Sequence, residues 1–156
     1  MLIELLASGG LIAEVGTQYG NWAAEIIEHK EPAELHLFDL TFDRTREDVK
    51  DASSVKLHLG KSFETMAQMP DNFFDWIYVD ADHTYEGVKR DIGACIPKLK
   101  DEGILVFNDY LTWAPMLAEP YGVLAAVNEL TTQGWEVCGL ALARSGYHDI
   151  ALRKLK

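Results

Sequence analysis

The chain predicts an α/β fold: a three-layer sandwich with a seven-stranded, mostly parallel sheet between helices and an antiparallel hairpin at its C-terminal end. Three observations predict it. Short apolar runs alternate with segments of helical periodicity, the pattern of parallel strands joined by right-handed crossovers. The last two runs are separated by too few residues to hold a helix, so they pair as a hairpin. Hydrophobic residues make up 48% and charged residues 25% of 156 positions, a globular composition at the length of one domain spanning 1–156.

The elements follow in order. Leu11–Val15 is the first apolar run, followed by a glycine-bearing turn and a helix with Ala23, Ile26 and Ile27 on one face. Glu34–Phe38 is the second run and ends on Asp39. The third, Val55–Leu59, leads through Gly60 into a short helix reaching Met66, for which Ser62 is a candidate N-cap. After the fourth run, Trp76–Val79, the residues Val88, Ile92, Cys95, Ile96 and Leu99 lie on one helical stripe. Ile104–Phe107 is the fifth run. The connection Tyr110–Tyr121, with Trp113, Met116 and two prolines, is long for its place and reads as a lid facing a site. Val123, Val127 and Leu130 mark a last helix, and Trp135–Leu142 with His148–Leu152 make the hairpin.

Fourteen basic against 25 acidic residues give a net charge of −11. Nucleic-acid affinity rests on neutralising backbone phosphates, and no basic stripe is present to do it, so no nucleic-acid partner is expected. The longest run free of Asp, Glu, Lys and Arg is Val15–Ala24, ten residues, against the ~20 of a membrane helix; no membrane partner is expected. Met1–Gly10 has no basic start and carries Glu4 in its apolar stretch, unlike a leader peptide, which points to the cytoplasm. Cys95 and Cys138 lie in apolar segments of different elements and read as free thiols.

In such sheets ligands bind outside the carboxyl ends of the strands, so the residues just after each run are the candidates. The first run ends in Glu14-Val15-Gly16-Thr17-Gln18-Tyr19-Gly20, where glycines permit a tight turn and helix-start N–H groups favour polar ligands. The spacing is G-x-x-x-G, one glycine short of a dinucleotide fingerprint. Asp39 falls 23 residues after Gly16, where an acid can accept hydrogen bonds from both ribose hydroxyls. Together they favour an adenosine-containing ligand. Gly60 and Ser62 follow the third run and can border its adenine. Asp80-Ala81-Asp82-His83 follows the fourth run and Asn108-Asp109 the fifth. If those strands are neighbours, Asp80, Asn108 and Asp109 offer three oxygen ligands to a divalent cation such as Mg²⁺. Helix capping by Asp80 or Asp82 and a turn at Asn108-Asp109 account for the same residues. His83, at the mouth of the same cleft, is a candidate general base.

In this order, the motifs resemble those of class I S-adenosylmethionine-dependent methyltransferases, a Rossmann-like family, and within it the small-molecule O-methyltransferases of the caffeoyl-CoA and macrocin types. Ala13–Gly20 is similar to the family's first motif, Leu37-Phe38-Asp39 to its ribose-binding acidic motif, and Gly60–Glu64 to its third-strand motif. Phe74–Tyr85 is the most specific likeness, and Leu99–Tyr110 resembles the fifth-strand motif. The resemblance implies S-adenosylmethionine held by Glu14, Gly16, Thr17, Gly20, Asp39, Gly60, Ser62 and Asp80. It also implies a divalent cation on Asp80, Asn108 and Asp109, with Asp80 and His83 as catalytic residues acting on a small-molecule hydroxyl. Relatives carry a substantial segment before the first motif, whereas about ten residues precede it here. An acceptor pocket completed by a second copy in a homodimer, a cofactor-binding module without efficient chemistry, and an NAD-dependent oxidoreductase therefore stay open as alternatives.

Overall fold

The computed structural model describes residues 2–156; Met1, in the segment read above for a leader, lies outside the described residues. The seven-stranded sheet has the order β3-β2-β1-β4-β5-β9-β8. Strands β1 (Leu11–Val15), β2 (Glu34–Asp39), β3 (Val55–Leu59), β4 (Phe74–Val79) and β5 (Leu99–Phe107) run parallel. The hairpin β8 (Trp135–Ala141) and β9 (Asp149–Lys154) closes the sheet, with β9 antiparallel to both β5 and β8. The strand order reverses between β1 and β4, so the loops after these two strands face each other across one crevice.

Alternation along the strands builds two cores. Ala13, Val15, Phe38, Ile77, Val79 and Phe107 face α3 (Ser62–Met66), α4 (Tyr85–Cys95) and α5 (Val123–Thr131). Ile12, Leu35, Leu37, Trp76 and Val106 face α1 (Asn21–Lys30), the single turn α2 (Glu47–Lys50) and the N-terminal 3₁₀ turn, whose Ile3 is buried. That N-terminal segment is anchored by Trp76, whose indole N–H donates to the Ala7 carbonyl at 3.1 Å, and by the buried Lys30, whose ammonium donates to the Leu6 carbonyl at 2.7 Å. Both cysteines are free, and among the described residues no helix is long and apolar enough to cross a membrane.

Two readings need correction. The helical stripe ends at Cys95, and Leu99 opens β5 instead, fully buried and paired with Phe74. Pro97 supplies no N–H to an α-helical ladder, so the chain tightens into a 3₁₀ turn over Ile96–Lys98 and leaves as a strand. Ser62 is the first helical residue of α3, not its cap. The connection Tyr110–Tyr121 contains a small ribbon, β6 (Trp113–Ala114) paired with β7 (Glu119–Pro120).

A histidine pair sits between β2 and β3. The Glu34 carboxylate accepts from His36 Nε2 at 2.9 Å, which leaves His36 Nδ1 to accept from His58 Nε2 at 2.9 Å. Phe38 stacks on His58, while Phe73 and Phe74 meet the His36 ring edge-on. Burial pushes both imidazoles below 6.5, despite the help Glu34 gives His36. The unfolded chain therefore takes up these protons before the folded one, and the pair withdraws stability as pH falls below 6.5. Replacing both (His36→Phe with His58→Leu) should make the melting temperature of wild type fall relative to the variant between pH 7.5 and pH 5, by thermal denaturation at matched ionic strength. A gap between the two proteins that does not change with pH would refute the linkage.

Candidate active site

The strand-end crevice is an open cleft of about 1010 Å³, walled by the loops after β1, β2 and β4, the start of α3, the residues after β5 and the β6–β7 ribbon. Glu14, Gly16, Thr17, Asp39, Ser62, Asp80, His83, Asn108 and Asp109 all line it, so one cleft gathers nearly every candidate. Gly20 and Gly60 act through the backbone. Gly20 (φ 75°) starts α1 with Thr45 close behind it, and Gly60 (φ 139°) makes the turn into α3 while its N–H donates to the Asp39 carbonyl at 2.9 Å.

Gly16 is required twice over. Its φ is 88°, and a Cβ there would lie 2.0 Å from the Asp80 carbonyl oxygen and 2.8 Å from Ala81 Cα. The loops after β1 and β4 pass at backbone contact, sealed by the Asp80 N–H donating to the Val15 carbonyl at 2.7 Å. The N–H groups expected to face a ligand are partly used within the protein. Asp39 Oδ2 accepts from the Thr17 N–H at 2.8 Å and the Gln18 N–H at 2.7 Å, and Oδ1 accepts from the Thr41 N–H at 3.2 Å. Asp39 thus braces the first loop, and its Oδ1 keeps room for a further donor. Glu14 is buried beneath the loop, where Thr17 Oγ1 donates to it at 3.3 Å. Burial, then the nearby Asp80 and Asp39 charges, raise its pKa well above the usual carboxylate range.

At the other end β4 and β5 are neighbours, as short crossovers require, and their C-terminal residues converge. His83 Nε2 lies 3.3 Å from Asp80 Oδ1 and 3.4 Å from Asp109 Oδ2, within ion-pair reach of both but not aligned for a hydrogen bond with either. Burial works against its charge, yet Asp80, Asp109 and Asp82 outweigh burial and raise its pKa. Burial likewise raises Asp109, against the pull of His83. The Tyr121 ring stacks on the imidazole at 4.4 Å, and the Gly122 N–H donates to the His83 carbonyl at 2.8 Å, so the ribbon is fastened to this histidine. Thr84, whose Oγ1 accepts from the Gly87 N–H at 3.1 Å, is the N-cap of α4, and Asp82 Oδ1 accepts from the Thr84 N–H at 2.9 Å. Asp80 does not cap the helix.

The expected cation set comes together but does not fit a cation. Asn108 Nδ2 donates to Asp80 Oδ1 at 2.9 Å, while Asn108 Oδ1 accepts from the Tyr78 hydroxyl at 3.1 Å. The amide presents its nitrogen, which cannot ligate, and the space between the two carboxylates is occupied by the imidazole nitrogen. Among the described residues no group of three or more His, Cys, Asp and Glu side chains has metal-holding geometry.

Four further residues escaped the sequence reading. Asp91, buried on α4, accepts from Ser62 Oγ at 2.6 Å and walls the cleft, its pKa raised by burial. A legible signal existed: an acid on the apolar stripe of Val88, Ile92 and Cys95. Trp22 lines the cleft with a buried Nε1 that has no partner. Tyr78 and Asp149 meet behind Asn108, Tyr78 Oη lying 3.4 Å from Asp149 Oδ2. Burial and the Asp80 charge push Asp149 up to about 6. Tyr78, flanked by Ile77 and Val79, reads from sequence as ordinary core.

No curated protein matches the chain. Solved structures share its fold at low identity. An S-adenosylmethionine dependent methyltransferase from Mesorhizobium loti is 14% identical at a TM-score of 0.73, covering 98% of this chain and 95% of that one. An rRNA methylase from Streptococcus thermophilus is 17% identical at 0.72, covering 99% and 93%. A SAM dependent methyltransferase from Aquifex aeolicus is 16% identical at 0.72, covering 94% and 83%. The family described as "Methyltransferase domain" matches residues 13–110, from the strand that carries Glu14 through the pair Asn108-Asp109. That span is well over half of the chain and holds every candidate residue named above from the sequence, so the chain belongs to the methyltransferase-domain family.

Proposed function

We propose that the protein transfers a methyl group from S-adenosylmethionine to a hydroxyl of a small-molecule acceptor. The observation that carries this reading is the division of one cleft, with the Gly16 loop braced by Asp39 at one end and His83 between Asp80 and Asp109 at the other. Bound S-adenosylmethionine supplies a methyl group made electrophilic by its sulfonium charge. The residues suit such a cofactor: Glu14 and Asp39 are acidic, Gly16 allows close backbone approach, and Trp22 Nε1 is a buried donor without a partner. Thr17, Ser62 and the turns at Gly20 and Gly60 complete the cofactor end.

At the acceptor end His83 takes the hydroxyl proton, and the carboxylates of Asp80 and Asp109 beside Nε2 stabilise the imidazolium that forms. Asn108 holds Asp80 through its amide N–H. The β6–β7 ribbon walls the acceptor side through Leu117, Glu119 and Tyr121. The net charge of −11 supports a small-molecule acceptor over a polyanionic one.

Calorimetric titration with S-adenosylmethionine tests the reading: binding is expected, and absence of binding would overturn it and make NAD the next ligand to titrate. Asp39→Ala should weaken cofactor binding by about tenfold or more, since a charged acceptor and the brace of two loop N–H groups are lost together. Unchanged affinity would remove Asp39 from the cofactor site. Because the site does not fit a cation, turnover of a hydroxyl acceptor should survive exhaustive chelation. Activity lost to chelator and restored by Mg²⁺ would show that the Asn108 amide turns over to serve a metal.

A further inference from the structure

Behind the acceptor end, four polar side chains from separate segments form one chain: Asp149 at the start of β9, Tyr78 within β4, Asn108 after β5 and Asp80 after β4. Its sense is fixed by chemistry. An ionised carboxylate only accepts, so the amide of Asn108 turns its nitrogen toward Asp80 and its oxygen away. The donor that meets this oxygen is the Tyr78 hydroxyl, at 3.1 Å, closer than the 3.4 Å between that hydroxyl and Asp149. Tyr78 is itself immobile: it is 4% exposed, and its ring packs on Trp22 with centroids 4.8 Å apart.

We infer that Tyr78 is a positioning residue for methyl transfer: its hydroxyl locks the Asn108 amide with Nδ2 on Asp80 and so fixes the carboxylate that flanks His83. The inference rests on the roles given above to Asp80 and His83. Packing alone does not account for the hydroxyl, because a phenylalanine would fill the same volume and leave Asn108 Oδ1 without its donor. The same lock withholds that oxygen from a cation, which explains why three ligand-type residues converge without forming a metal site.

Tyr78→Phe removes one oxygen and keeps the ring. In wild type the side-chain amide protons of Asn108, assigned by their loss in Asn108→Asp, should appear as a resolved pair in ¹⁵N-correlated NMR spectra, slow to exchange with solvent. In Tyr78→Phe they should exchange fast and average, while kcat for methyl transfer falls by up to about a hundredfold, as a misplaced reacting group costs, with KM for S-adenosylmethionine unchanged. Asp149→Asn, which keeps the tyrosine and removes the carboxylate that competes for its one proton, should slow exchange of the pair further and serves if Tyr78→Phe does not fold. An Asn108 pair unaffected by both substitutions would overturn the inference, as would a loosened pair with wild-type kcat. Failure of the underlying reading shows separately, as full activity in Asp80→Ala, whereas the amide signal reports the lock without turnover.

Discussion

Gly16→Ala is expected to unseat the cofactor end of the cleft and to destabilise the whole domain. Alanine at a φ of 88° costs roughly 1–2 kcal/mol in the backbone alone. The added methyl would sit 2.0 Å from the Asp80 carbonyl oxygen and 2.6 Å from its carbon. That neighbour is backbone, held by the N–H of Asp80 on the Val15 carbonyl at 2.7 Å, so no flexible side chain can swing aside. Overpacking of this kind adds about 1–3 kcal/mol or more. The sum predicts a melting temperature lower by roughly 4–20 °C for a domain of this size, together with loss of S-adenosylmethionine binding as the loops after β1 and β4 part. Differential scanning calorimetry and titration calorimetry on the same preparation check both. A variant that melts with wild type and binds cofactor normally would mean the crevice is wider than the structure makes it.

Asp80→Ala is expected to do the opposite: to spare binding and remove turnover. Asp80 is the nearer carboxylate to His83 Nε2 and the acceptor of the Asn108 amide, so its loss leaves the base without its principal charge partner and Asn108 with an unpaired donor. The corresponding loss in kcat is about 10²–10⁴-fold, the usual worth of a positioned general base. Affinity for S-adenosylmethionine should stay nearly intact, because the Gly16 loop and its Asp39 brace are untouched. Methyl transfer followed by mass spectrometry, beside calorimetric affinity, separates the two effects. Full activity in Asp80→Ala would move the chemistry away from His83, and a collapse in affinity would place Asp80 on the cofactor instead.

Most of the architecture is written locally. Alternating apolar strands and helical stripes depend on residues a few positions apart, and so does the tight turn at Gly16. For this reason the five parallel strands, the terminal hairpin and the placement of Asp39, Asp80, His83, Asn108 and Asp109 at strand ends were all legible from the chain. Leu99 was misread because a helical stripe and a buried strand start demand the same apolar residue, and only the proline two positions earlier distinguishes them.

What the tertiary structure alone decided is the direction of polar groups across long separations. Asp39 spends one oxygen on Thr17 and Gln18, more than twenty positions away. Ser62 finds Asp91 across 29 positions, and Asn108 turns its nitrogen to Asp80 because Tyr78, 30 positions distant in sequence, meets its oxygen. Spacing along the chain places residue types at strand ends. Whether an amide there serves as donor or ligand, and whether a histidine or a cation stands between two carboxylates, depends on hydrogen bonds whose partners meet only when the sheet has formed.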